Sequence, residues 1–186
     1  EDAPEGRQFL SQWMPPTVQS LRLFGEEGEP TRVPVGEFLQ QLPPSHPGLT
    51  LLDTSSVQLD AQDLSAFGTF LPGLRELYIC VQPSSDPTMG SFANVEKYFQ
   101  ECLQDLHQLH QLELAVPFRS SASLSTSLLR PLGQYASSTL TSLRLKQFVL
   151  EEGALLELLG LQGHLHTLKL SSHLCVFDLA PLCHLS

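Results

Sequence analysis

Residues 140–164 read LTSLRLKQFVLEEGALLELLGLQGH, and this stretch decides the fold. Leu143 and Leu145 flank Arg144 with the two-residue period of a strand, so the leucines face one side and Arg144 the other. Beyond Leu150 the period changes. Leu155, Leu158 and Leu159 stand at i, i+3 and i+4, which is one face of a helix. Glu151 and Glu152 sit where the first turn begins, where negative charge complements the helix dipole. Gly163 stands where the helix ends. The unit is therefore strand, short loop, helix, return loop.

The opening six residues of this unit recur along the chain as apolar-x-x-apolar-x-(apolar or Thr): Val18 to Leu23, Leu49 to Thr54, Leu74 to Ile79, Leu109 to Leu114, Leu140 to Leu145 and Leu165 to Leu170. Helical spacing follows the other blocks as well. Val35, Phe38, Leu39 and Leu42 follow the first, and Leu64, Phe67 and Leu71 the second. Val95, Phe99, Cys102 and Leu106 follow the third, and Leu124, Leu128 and Leu132 the fourth. Phe9, Leu10, Trp13 and Met14 read as the helix of a preceding unit, stopped by Pro15-Pro16. No such unit can bury its apolar face alone, so the units must stack. Strands joined through helices run parallel. The expected fold is α/β: a curved solenoid with parallel strands on the concave face and helices on the convex face, reading as a single domain over 1–186.

The six blocks and the strand-to-helix switch after each resemble the leucine-rich repeat family, in its long ribonuclease-inhibitor-like class. The resemblance covers roughly residues 18–170. It implies a protein-binding surface and no chemistry of its own. One departure stands out. The family places Asn or Cys three residues after the last strand leucine, to satisfy loop backbone groups; here those positions hold Glu26, Val57, Gln82, Pro117, Phe148 and His173. The expectation is a divergent member with less regular turns.

Leucine supplies 38 of 186 residues, ample for the stacked core, while the formal charge is −10. That balance disfavours a nucleic-acid or anionic-membrane role, because binding polyphosphate rests on clustered Lys and Arg. No apolar run approaches the roughly 20 residues of a spanning helix, and the acidic start Glu1-Asp2-Ala3-Pro4-Glu5 does not read as a signal peptide. Cys80, Cys102, Cys175 and Cys183 are too sparse for a disulfide scaffold, so an intracellular, cytoplasmic setting is expected, with an organelle interior as the alternative.

The residue between the two inward strand leucines faces outward on the sheet. Unit by unit this gives Arg22, Asp53, Tyr78, Glu113, Arg144 and Lys169, and the next outward column gives Phe24, Ser55, Cys80, Ala115, Lys146 and Ser171. Arg144, Lys146 and Lys169 make a basic patch on an acidic chain, suited to an acidic segment of a partner protein, with Tyr78 as an aromatic anchor. The competing reading is a cross-strand ladder in which Glu113 simply pairs with Arg144. His173, Cys175, Cys183 and His184 form a loose version of a metal-ligand set, set against buried small thiols and loop histidines. No nucleophile elbow, HExxH or Gly-rich phosphate loop is present. No cofactor is expected.

The ends also bear on function. The residues from His173 onward are apolar and read either as the start of a further repeat or as a tail folding back as its own cap. Uncovered ends, with long loops at 25–34 and 81–90, favour a non-catalytic adaptor or structural subunit of a larger assembly. The alternatives are a substrate-recognition subunit of a ubiquitin ligase and, from another class, a metal-dependent enzyme using the histidine-rich C-terminal half.

Overall fold

The structure is a computed structural model that describes residues 15, 17–25, 35–40, 48–59, 61–81, 93–117, 122–124, 126–136, 138–150, 153–161, 164–171 and 176–178. The expected helix at residues 9–14, the positions Leu42, Glu151, Glu152 and Gly163, and most of both long loops lie outside the described residues.

Each block forms a strand of one sheet. They are β1 (Ser20–Arg22), β2 (Leu51–Leu59), β3 (Glu76–Val81), β4 (Gln111–Ala115), β6 (Ser142–Lys146) and β8 (Thr167–Ser171). These pair in parallel and in chain order. The register is that of the blocks: Leu21, Leu52, Leu77, Leu112, Leu143 and Leu168 are successive partners. The strands begin two residues later than the blocks do. The leading leucine therefore precedes the strand, yet Leu49, Leu74, Leu109, Leu140 and Leu165 are all buried.

A second backbone pattern repeats with the strands. The carbonyl of Gln19 accepts from the N–H groups of both Thr50 and Leu51, at 2.9 and 3.0 Å. The carbonyls of Thr50, Arg75, His110 and Thr141 each do the same for the two corresponding residues of the next unit. Every return loop is thus tied to its neighbour before the strand starts.

The helices are α1 (Val35–Gln40), α2 (Ala61–Phe70), α3 (Ala93–Asp105), α4 (Thr126–Pro131) and α5 (Ala154–Gly160). They pack side by side in chain order and share one core with the leucine face of the sheet. Phe67, Phe99, Cys102 and Leu158 are among their buried residues. Burial of each such large side chain contributes about 1.5–3 kcal/mol. Gly36 N–H donates to Asp63 Oδ1 at 2.7 Å, fastening α1 to α2. Pro131 removes a helical N–H, and the chain continues as a π-turn over Leu132–Ala136.

Two expectations are corrected. Leu124 does not begin a helix: Ala122–Leu124 form β5, which pairs in parallel with β7 (Phe148–Leu150) as a separate two-stranded sheet. Phe148, at the position where the leucine-rich repeat family places Asn or Cys, is buried, and its backbone pairs with Ala122 of β5. Gln147, between β6 and β7, takes a left-handed φ of 68° to make this turn. The apolar tail does not start a further parallel strand over its described part. Val176–Asp178 form β9, which runs antiparallel along β8. Over these three residues the tail turns back along β8 rather than beginning a further repeat.

The close approach of α2 and α3 rests on Gly68, where an added Cβ would stand 2.8 Å from the Cys102 carbonyl oxygen. Gly68→Ala is expected to lower stability by about 1–3 kcal/mol, the cost of overpacking a close-packed core. Gly160→Ala, with nothing within 4 Å of the added Cβ, is expected to be neutral or stabilising by up to about 1 kcal/mol. Urea unfolding of the two variants measures the contrast.

Candidate functional site

The alternation that sends Leu143 and Leu145 into the core turns Ser142, Arg144 and Lys146 onto the open face of the sheet. Because every strand shares the same register, the first predicted column holds throughout. Arg22, Asp53, Tyr78, Glu113, Arg144 and Lys169 are successive backbone partners across six strands, about 4.8 Å apart.

The second column holds only from Cys80 through Ala115 and Lys146 to Ser171. Phe24 lies beyond the end of β1 and is 77% exposed. Ser55 stands where the β2–β3 register shifts, and its N–H and hydroxyl both donate to Asp53 Oδ1, at 3.0 and 2.6 Å. Asp53 Oδ1 is thereby engaged within its own strand. Thr54, buried where other blocks place leucine or isoleucine, donates its hydroxyl to the Tyr78 carbonyl at 3.1 Å, which satisfies an otherwise costly polar group.

A third column also faces the open side and was not singled out from sequence: Ser20, Leu51, Glu76, Gln111, Ser142 and Thr167. The same two-residue period, carried one step toward the N-terminus, predicts it.

Glu113 is the electrostatic centre of the face. It is only 4% exposed, and Lys146 Nζ lies 2.6 Å from its Oε1. Arg144 Nη1 lies 3.8 Å from Oε2. The first is a short charge-assisted hydrogen bond; the second is beyond hydrogen-bond length and is Coulombic contact alone. Pairing within the ladder therefore does occur, and Lys146 is its stronger partner. Arg144 Nε is buried without a hydrogen-bond partner. Arg144 and Lys169 are adjacent in register, so two like charges face each other across neighbouring strands. On the far side of β8, β9 sets Asp178 opposite Lys169 in the backbone register.

Next to these cations the open face carries a depression of ≈ 560 Å³ between β4, β6 and β8. Arg144, Lys169 and His166 line it, together with the hydroxyl residues Thr141, Ser142 and Thr167 and the amide of Gln111. Tyr78 borders the same region: its hydroxyl donates to Glu76 Oε2 at 2.9 Å and lies 3.2 Å from Gln111 Oε1. Burial first, and the Glu76 hydrogen bond second, push the Tyr78 phenol up to about 12.

Burial pushes the Cys80 thiol up to about 11 and the Cys102 thiol up to about 12, so both are neutral thiols rather than nucleophilic thiolates at physiological pH. The weak metal candidates His173, Cys175, Cys183 and His184 lie outside the described residues. Among the described residues, no group of three or more His, Cys, Asp or Glu could hold a metal ion. Among the same residues, no helix is long and apolar enough to cross a membrane. No protein-family model matches the chain, and no curated protein matches it in sequence.

Two outcomes follow. Glu113→Gln is expected to destabilise the fold by about 1–3 kcal/mol, because Lys146 loses a charge-assisted bond while both cations stay partly hydrated; thermal unfolding reads it. Tyr78 has a folded-state pKa above its unfolded value of 10.0, so its contribution to stability is intact below pH 10 and is lost as pH rises toward 12. Ultraviolet titration of the chain against its Tyr78→Phe variant is expected to show the removed phenol ionising near pH 12.

Proposed function

We propose that the chain is a divergent leucine-rich-repeat arc and acts as a non-catalytic protein–protein interaction module. Its open sheet face serves as the concave docking surface, and an acidic segment of a partner protein seats on Arg144, Lys146 and Lys169. The observation that carries this reading is a cluster of cations. Lys146 and Arg144 meet at the buried Glu113, and Lys169, whose backbone partner on β9 is Asp178, lies beside Arg144, in a chain whose formal charge is −10. Cations concentrated against the overall sign are costly to gather, and complementary charge on a partner offsets that cost and steers its approach.

The in-register columns support the same reading. They give a continuous strip of side chains, with Tyr78 near the middle as a rigid aromatic contact. In a larger intracellular assembly such a chain would act as an adaptor or structural subunit, with the edge of β1 and the open face as its means of contact.

The test is calorimetric titration with an Asp/Glu-rich peptide at low and at high salt. Binding that weakens with salt, and that falls at least tenfold in the Arg144→Ala/Lys169→Ala double variant, is the expected result. Affinity unchanged by the double variant refutes the docking site.

A further inference from the structure

We propose that the depression between β4, β6 and β8 is a receptor for a phosphomonoester, carried on a serine or threonine of the partner's acidic segment. The inference rests on the acidic-segment reading above and names the group that the depression takes.

The argument starts from charge. Glu113 is already satisfied by Lys146 at 2.6 Å, whereas Arg144 stands 3.8 Å from the same carboxylate. Arg144 and Lys169 are neighbours in register, with Asp178 as the backbone partner of Lys169 on its other side, and among the described side chains no carboxylate lines the depression they share. Two fixed positive charges side by side repel each other. A carboxylate brings one negative charge, and a phosphomonoester brings between about 1.5 and 2 at neutral pH. The latter matches a pair of cations more closely than a single carboxylate does.

Donor count points the same way. Arg144 Nε is buried and unpartnered. Thr141 has its hydroxyl donated to the His110 carbonyl, at 3.1 Å, but Ser142, Thr167 and the Gln111 amide also line the site. With Lys169, these groups offer more donors than the two oxygens of a carboxylate can use. They suit the three terminal oxygens of a phosphoryl group. The space, ≈ 560 Å³, holds such a group together with flanking peptide. The register explains how the site arises: each lining residue occupies the second, third or fifth position of its block, brought together by three adjacent strands.

Three peptides of the form Glu-Glu-X-Glu-Glu distinguish the possibilities, with X as phosphoserine, glutamate or serine, each titrated into the full chain and followed by calorimetry and backbone NMR. The phosphoserine peptide is expected to bind at least tenfold more tightly than the glutamate peptide and to shift the amides of Ser142, Arg144, Thr167 and Lys169. Arg144→Gln is expected to reduce that preference to within twofold. Lys169→Gln, at an exposed position that leaves the fold intact, is expected to do so in part. Equal binding of the phosphoserine and glutamate peptides overturns the phosphate inference and leaves the acidic-segment reading standing. Binding by none of the three overturns both. A phosphoserine preference that survives both variants, or capture of the chain by phosphatidylserine vesicles through Arg144 and Lys169 in place of the peptide, overturns it as well.

Discussion

The structure depends on one backbone arrangement: a carbonyl just ahead of each strand accepts two N–H groups from the unit that follows. Gln19, Thr50, Arg75, His110 and Thr141 all do this. The arrangement holds the register, and a slip of one residue would turn the core-facing strand leucines to the open face. Two core-facing columns depend on that register. One runs from the partly buried Leu21 to the buried Leu168, and the other from Thr54 through Ile79, Leu114 and Leu145 to Leu170. The helices then have a continuous apolar floor to cover.

The same register builds the open face. Residues far apart in sequence, such as Gln111, Arg144 and Lys169, meet because each holds an equivalent place in its unit. Charge on this face is set by competition. Glu113 accepts a short bond from Lys146 and holds Arg144 only at a distance. The arginine is left with a buried, unpartnered Nε and a positive neighbour. A buried donor without a partner is a cost that an incoming acceptor relieves.

Much of this was legible in the sequence. The alternation around Arg144 and the switch to helical spacing at Leu158 identified strand and helix, and the blocks fixed which residues share a column. Strand starts were read two residues early because the leading leucines, such as Leu74 and Leu109, are core residues of the return loop, which periodicity alone does not separate from strand. Leu124 was misread because its helical spacing to Leu128 is accidental: β5 exists only through its pairing with Phe148–Leu150, a non-local contact with no local signature. The depression was missed since the reading stopped at the residue between the leucines. Ser142 and Thr167, two places earlier, follow the same alternation but carry no charge to draw notice. The antiparallel course of β9 depends on how a tail meets β8, which no repeat pattern encodes.

Each strand of the main sheet pairs only with the strands before and after it in chain order. Among the described residues no strand pairing ties β1 to β8, so no closing pair of strands makes the sheet open all at once. Opening can travel inward from either end and stop at any interface between units. Folding can likewise begin wherever two neighbouring units first meet, over separations of one repeat, without waiting for the termini to find each other.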